Sequence, residues 1–62
     1  MSMIYFTDAL SGGKIAINPE YVVAVFKVTD GEHKDKTNVI LVNSNVLVAE
    51  EDYDVVGQLN AN

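Results

Sequence analysis

The chain has 62 residues, 48% of them apolar, and a formal net charge of −5. With no cysteine and a single histidine, His33, it cannot form a disulfide, a thiolate metal site or a histidine-built zinc site. Its cations are four lysines, Lys14, Lys27, Lys34 and Lys36, and there is no arginine; this argues against a nucleic-acid partner, which is held by cations that displace counterions and is read most often by arginine.

A chain of this length is one domain, 1–62, and buries only about 60% of its unfolded surface. Scaffolds this small usually add disulfides, a metal or a partner chain. With the first two excluded by composition, self-association is the expected support. No apolar run approaches the roughly 18 residues of a membrane span. The opening "MSMIYFTDAL" lacks the basic segment of a secretory signal, and the acidic balance disfavours an acidic membrane surface. The expectation is a soluble, cytoplasmic protein with no membrane partner.

Met3 to Asp8, "MIYFTD", is rich in β-branched and aromatic residues and predicts a first strand. Ile4 and Phe6 share one face, Tyr5 and Thr7 the other. "ALSGGK" is a turn in which Gly12 and Gly13 can take positive φ. "KIAIN", Lys14 to Asn18, is a short second strand. Pro19 lacks a backbone donor and holds Asn18 extended, so Asn18-Pro19-Glu20 forms a corner with one helical turn. Tyr21 to Thr29 is a third strand, with Val22, Ala24, Phe26 and Val28 expected on one apolar face.

"DGEHKDK", Asp30 to Lys36, opens on an Asp-Gly turn signal and is too long for a two-residue hairpin loop. Thr37 to Val42 is a fourth strand, apolar at every position from Val39, which predicts burial on both faces. "NSN" is a tight turn and "VLVA" a fifth strand. The last segment predicts a helix over Glu51 to Asn60, with Tyr53, Val56 and Leu59 as its inward stripe and Val55 beside them.

Four acids, Glu50, Glu51, Asp52 and Asp54, crowd the start of that helix. Hard cations such as Ca²⁺ take several oxygen ligands, but the order of an EF-hand loop is absent. Acids in a first helical turn complement its free N–H groups and positive dipole end. The expectation is therefore no metal, with these carboxylates in water and Asp52 as the cap. Asp30, Glu32, His33 and Asp35 offer an acid–base pair, but a hairpin tip supplies no pocket, so the loop reads as solvated. "SGGK" departs from a phosphate loop, because Asp8 stands where the first glycine belongs and a strand follows. Thr7, Ser11 and Thr37 have no base placed beside them by any motif. No catalytic residue, cofactor or metal is expected.

"GGKIAINPEYVVAV", followed after a turn by "TNVILVNSNVLVAEEDYDVV", resembles the small flagellar and swarming-motility family FlbD. That family has a glycine turn, an I-N-P-D/E corner, a hairpin and an acidic helix start. Ile17-Asn18-Pro19-Glu20 matches the corner, and Glu50 to Val56 the helix start. The order of five short strands and a C-terminal helix also resembles the carbon storage regulator, an RNA-binding dimer that works through arginines.

The expected fold is mainly β: a five-stranded antiparallel curved sheet or small open barrel with one short C-terminal helix. The expected function is a non-catalytic interaction or structural module acting as a homo-oligomer, a homodimer in the first place, with another protein as a further partner. The alternative is a nucleic-acid-binding regulator resembling the carbon storage regulator. A surplus of apolar positions makes Tyr5, Val23, Val25, Ile40, Val42 and Leu47 the expected oligomer interface.

Overall fold

A computed structural model describes residues 2–61. The architecture is mainly β: β1 (Ile4–Thr7), β2 (Lys14–Ile17), β3 (Val22–Lys27), β4 (Thr37–Leu41) and β5 (Asn45–Val48), followed by the helix α1 (Asp52–Ala61). The five strands fall into two antiparallel sheets, β1–β2 and β3–β4–β5, rather than into one continuous sheet. A single bridge between Asp8 and Val48 ties the first sheet to the second. The Ala9 N–H donates to the Leu47 carbonyl and the Ala49 N–H to the Thr7 carbonyl, both at 2.9 Å.

The corner after β2 forms as its residues dictate. Pro19–Tyr21 is one turn of 3-10 helix, and the Asn18 side chain accepts from the Glu20 N–H at 3.0 Å. The β3–β4 hairpin continues past its strands, with the Val28 N–H donating to the Lys36 carbonyl at 2.9 Å and the Asp35 N–H to the Val28 carbonyl at 2.8 Å. Asp35 sits at φ +73°, a left-handed position that Asp tolerates better than most residues.

The register differs from the expected alternation in β3. Val22 pairs with Leu41, but Ala24 pairs with Ile40, so one extra residue is inserted around Val23. This β-bulge shifts the phase of everything after it. Val22 and Val25, not Val22, Ala24 and Phe26, turn toward the core, while Ala24 and Phe26 are exposed. In β4 the expected burial on both faces is partial: Val39 is buried, Ile40 and Leu41 are half-buried and Val42 is 63% exposed.

The core consists of Ile4, Phe6, Ile17, Val39, Val48 and Val55, with Ile15, Val22, Val25, Leu41, Val46 and Leu59 packed around it. The helix lies against β3. Its inward stripe is Val55 and Leu59, an i, i+4 pair. Of the expected stripe, Leu59 and the neighbouring Val55 pack inward, Val55 at 0% exposure, whereas Tyr53 is 69% and Val56 42% exposed. The helix begins at Asp52, and Glu51 supplies the carbonyl that accepts the first helical bond, from the Val55 N–H at 3.1 Å. Glu51 therefore stands at the cap position expected for Asp52, which instead opens the first turn together with Asp54.

Gly57 lies in this helix on its exposed side, and a Cβ added there would meet nothing within 4 Å. Replacing Gly57 with Ala should raise the unfolding free energy by about 0.5–1 kcal/mol, because the glycine loses more backbone entropy on folding than alanine. Urea denaturation of the two proteins checks this, and an unchanged or lower midpoint for the variant would contradict it.

Candidate functional site

The acidic cluster divides between two tasks. Glu51, Asp52 and Asp54 belong to the helix start, as described above. Glu50 does not point freely into water, contrary to the expectation for all four carboxylates. Its Oε1 accepts from the Thr7 N–H at 2.9 Å, and its Oε2 accepts from the same N–H at 3.1 Å and from the Thr7 hydroxyl at 3.0 Å. The Glu50 main-chain carbonyl accepts from the hydroxyl of Thr37 at 2.7 Å, and Thr37 is fully buried. One residue thus ties β1 to the chain after β5 by its side chain, and β4 to the same point by its backbone.

The "SGGK" turn is likewise committed internally. The Asp8 carboxylate accepts from the Ser11 hydroxyl at 2.8 Å and from the Leu10 N–H at 3.3 Å. The Gly13 N–H donates to the Ser11 hydroxyl oxygen at 3.1 Å and the Gly12 N–H to the Asp8 carbonyl at 2.8 Å. The N–H groups that would cradle a phosphate are occupied, and a carboxylate stands beside them. Gly12 at φ +80° makes the turn possible. The Ser11 hydroxyl bond, and after it the Leu10 N–H bond, hold the Asp8 carboxyl below its ordinary pKa. Thr7, Ser11 and Thr37, the three hydroxyls weighed as nucleophiles, all serve these structural hydrogen bonds.

In the loop before β4, His33 Nε2 is 3.7 Å from Glu32 Oε2, and its Nδ1 has no hydrogen-bond partner. Lys27 pairs with Asp35 at 3.6 Å, both substantially exposed, a contact worth little in water. Lys34 and Lys36 alternate with Asp30, Glu32 and Asp35 here, so the lysines form no cationic stripe. Among the described residues there is no cavity and no group of three or more side chains able to hold a metal ion. No helix among them is long and apolar enough to cross a membrane.

The remaining surface feature is the outer face of the three-stranded sheet. The register sets two cross-strand rows there: Phe26, Asn38 and Leu47, and beside it Ala24, Ile40 and Asn45. The Asn45 amide donates to the Asn38 side-chain oxygen at 3.1 Å, joining the rows. No charged side chain belongs to either row, and Phe26 is 51% exposed. Of the residues expected at an interface, Ile40 and Leu47 stand in these rows. Val42 follows directly after β4, and Val23 sits in the bulge, both exposed. Tyr5 is exposed on the other sheet, opposite Ala16. Val25 lies against the core and has no place on an outer surface. Phe26 was missed, because strict alternation puts it inside; only the extra residue at Val23 turns it out.

No protein-family model, no curated protein and no solved structure matches this chain.

Two outcomes follow from the site geometry. Replacing Glu50 with Ala leaves the Thr7 N–H and hydroxyl without their acceptor and should cost about 1.5–3 kcal/mol, since the bonds go to a charged group. Pairing it with Thr7→Val, which removes the hydroxyl but keeps the N–H, in a double-mutant cycle should give a coupling of at least about 0.5 kcal/mol; strictly additive losses would show that the hydroxyl bond contributes nothing measurable. For Asp8, the folded carboxyl has the lower pKa, so its contribution is present above the unfolded pKa and is lost as pH falls through the folded one. An NMR titration should find the Asp8 carboxyl below the ordinary aspartate value, and Ser11→Ala should move it back up. A value unchanged by Ser11→Ala would contradict the assignment.

Proposed function

We propose that this chain is a small non-catalytic interaction module that works as a homo-oligomer, in the first place a homodimer, in the cytoplasm. The observation that carries the reading is the uncharged outer face of β3–β4–β5, with Phe26, Ile40 and Leu47 as its apolar members. A chain with nine acidic and four basic residues keeps one face free of both. On this face Phe26 is exposed and Ile40 and Leu47 are half-buried, and exposed apolar surface can mark interaction sites in soluble proteins. The second support is the size of the core, six buried apolar side chains, which a partner surface would reinforce by mass action. We read the two sheets, joined at the Asp8–Val48 bridge, as one strongly curved surface in the order β2–β1–β5–β4–β3.

The competing reading, an RNA-binding regulator resembling the carbon storage regulator, lacks the arginines that would carry it. Sedimentation velocity across a concentration series and a gel shift with random RNA at low salt separate the two. The module reading expects a mass above the monomer at tens of micromolar and no retarded RNA. A monomer at all concentrations, or retardation that falls steeply with salt, would overturn it.

A further inference from the structure

We infer that Asp30-Gly31, in the loop of the β3–β4 hairpin, is a modification site in the folded chain. Asp30 isomerises there to isoaspartate, the substrate class of protein-isoaspartate carboxyl methyltransferases. The inference is independent of the self-association proposed above.

The reaction needs only a backbone nitrogen and the side-chain carboxyl that precedes it. The Gly31 nitrogen attacks the Asp30 carboxyl carbon, Cγ, and a C–N bond forms. The nitrogen's proton and the carboxyl's hydroxyl leave together as water, and a five-membered succinimide closes. Water then opens the ring at one of its two carbonyls. Cleavage of the Cγ–N bond returns aspartate. Cleavage of the original peptide C–N bond leaves the chain running through Cβ and Cγ, with the former main-chain carbonyl as a free carboxylate. One water leaves and one returns, so solvent is the sole co-reactant.

Two conditions select the site: a following N–H held by no hydrogen bond, and a carboxylate held by no partner. Asp30 meets both. Asp30 and Gly31 are exposed, and among the described residues neither the Gly31 N–H nor the Asp30 carboxylate has a hydrogen bond or ion pair. Gly31 has no side chain to shield its nitrogen, and a Cβ built there would meet nothing within 4 Å. Its φ of +86° is one that glycine reaches without steric cost, and glycine moves most easily from one backbone conformation to another.

The other four aspartates fail these conditions. The Asp8 carboxylate is held by the Ser11 hydroxyl and the Leu10 N–H, and the following N–H, of Ala9, donates to the Leu47 carbonyl. Asp35 pairs with Lys27, and the Lys36 N–H donates to the His33 carbonyl at 3.1 Å. Asp52 and Asp54 lie in α1, followed by the bulky Tyr53 and Val55, and the Val55 N–H is bonded to the Glu51 carbonyl.

The fold tolerates the product. Every buried core residue lies outside the loop 30–36, and exposed loop tips are where chains accept covalent change. The extra backbone carbon displaces Gly31 from Lys34, whose N–H donates to the Gly31 carbonyl at 3.2 Å, and leaves the strands in place.

The test incubates the full chain for weeks in warm, neutral buffer, with a parallel sample unfolded in guanidinium chloride. Tryptic digestion releases residues 28–34 as one peptide, and chromatography with mass spectrometry separates its isomers. In the folded chain a second peak of identical mass should grow for this peptide, and a purified isoaspartate methyltransferase should methylate it. Deamidation of an asparagine changes the mass and is thereby told apart. Folding should suppress isomerisation of Asp8 relative to the unfolded sample and spare that of Asp30. Asp30→Glu, which would need a six-membered ring, should lose the second peak while circular dichroism shows the wild-type fold. A folded chain without the second peak overturns the inference. So does isoaspartate that maps to another aspartate in its place, or suppression of Asp30 by folding as strong as that of Asp8.

Discussion

The carboxylate of Glu50 resolves a local shortage of backbone acceptors. At the end of β1 the chain runs beside the end of β5, and the ladder between them gives only the Asp8–Val48 bridge before the chain turns toward the helix. The Thr7 carbonyl still finds the Ala49 N–H, but the Thr7 N–H finds no strand carbonyl. The Glu50 side chain takes that place and also accepts the Thr7 hydroxyl. The buried Thr37 hydroxyl has no exit to water and donates to the Glu50 carbonyl from the other side. A chain of this size has a total stability of about 3–9 kcal/mol at the usual 0.05–0.15 kcal/mol per residue. Hydrogen bonds to a charged acceptor are worth about 1.5–3 kcal/mol each at most, less where solvent reaches them. Losing these bonds at the junction of the two sheets would therefore be a significant loss on that scale.

Much of the fold was legible because turn chemistry is local. The Asp8 to Gly13 turn and the Asn18-Pro19 corner each depend on residues within a few positions of one another and formed as their residues dictate, and the acidic run starts a helix, with Glu51 rather than Asp52 at its cap. The strands between them could then be placed within a residue or two. Glu50 was misjudged because its partner is 43 residues away in sequence. Nothing near Glu50 distinguishes it from Glu51 or Asp52, and only the tertiary crossing of β1 past β5 selects it.

The phase of β3 was hidden for a different reason. The run from Tyr21 to Val28 is apolar at every position but Lys27, so either phase satisfies a core. Strict alternation favours Val22, Ala24, Phe26 and Val28 because they form an unbroken set. The bulge at Val23 instead lets Val22 and Val25 both face inward, opposite Leu41 and Val39. In the helix stripe Leu59 and Val55 pack inward as expected, but Val56 does not: Val55 and Val56 are adjacent and equal in chemistry, and the packing of α1 on β3 chooses between them. Where a sequence is apolar in both phases, the hydrophobic pattern loses its power to orient a strand.

The same bulge also bears on the free edges of the sheets. β3 is an edge strand, paired only with β4, and an edge is the usual template for open-ended strand addition. A bulge at Val23 increases local twist and interrupts a flat edge, and Lys27 places a charge at the strand's end. β2, the free edge of the other sheet, starts at Lys14 and is followed within two residues of its end by Pro19. β3 and β2 are therefore poor templates for strand addition. By turning Phe26 outward, the bulge adds apolar surface to the face while it blunts the edge. Heterologous edge pairing can continue from chain to chain, so a blunted edge lowers that risk. The single insertion at Val23 thus turns Phe26 outward and at the same time makes the β3 edge a poorer template for strand addition.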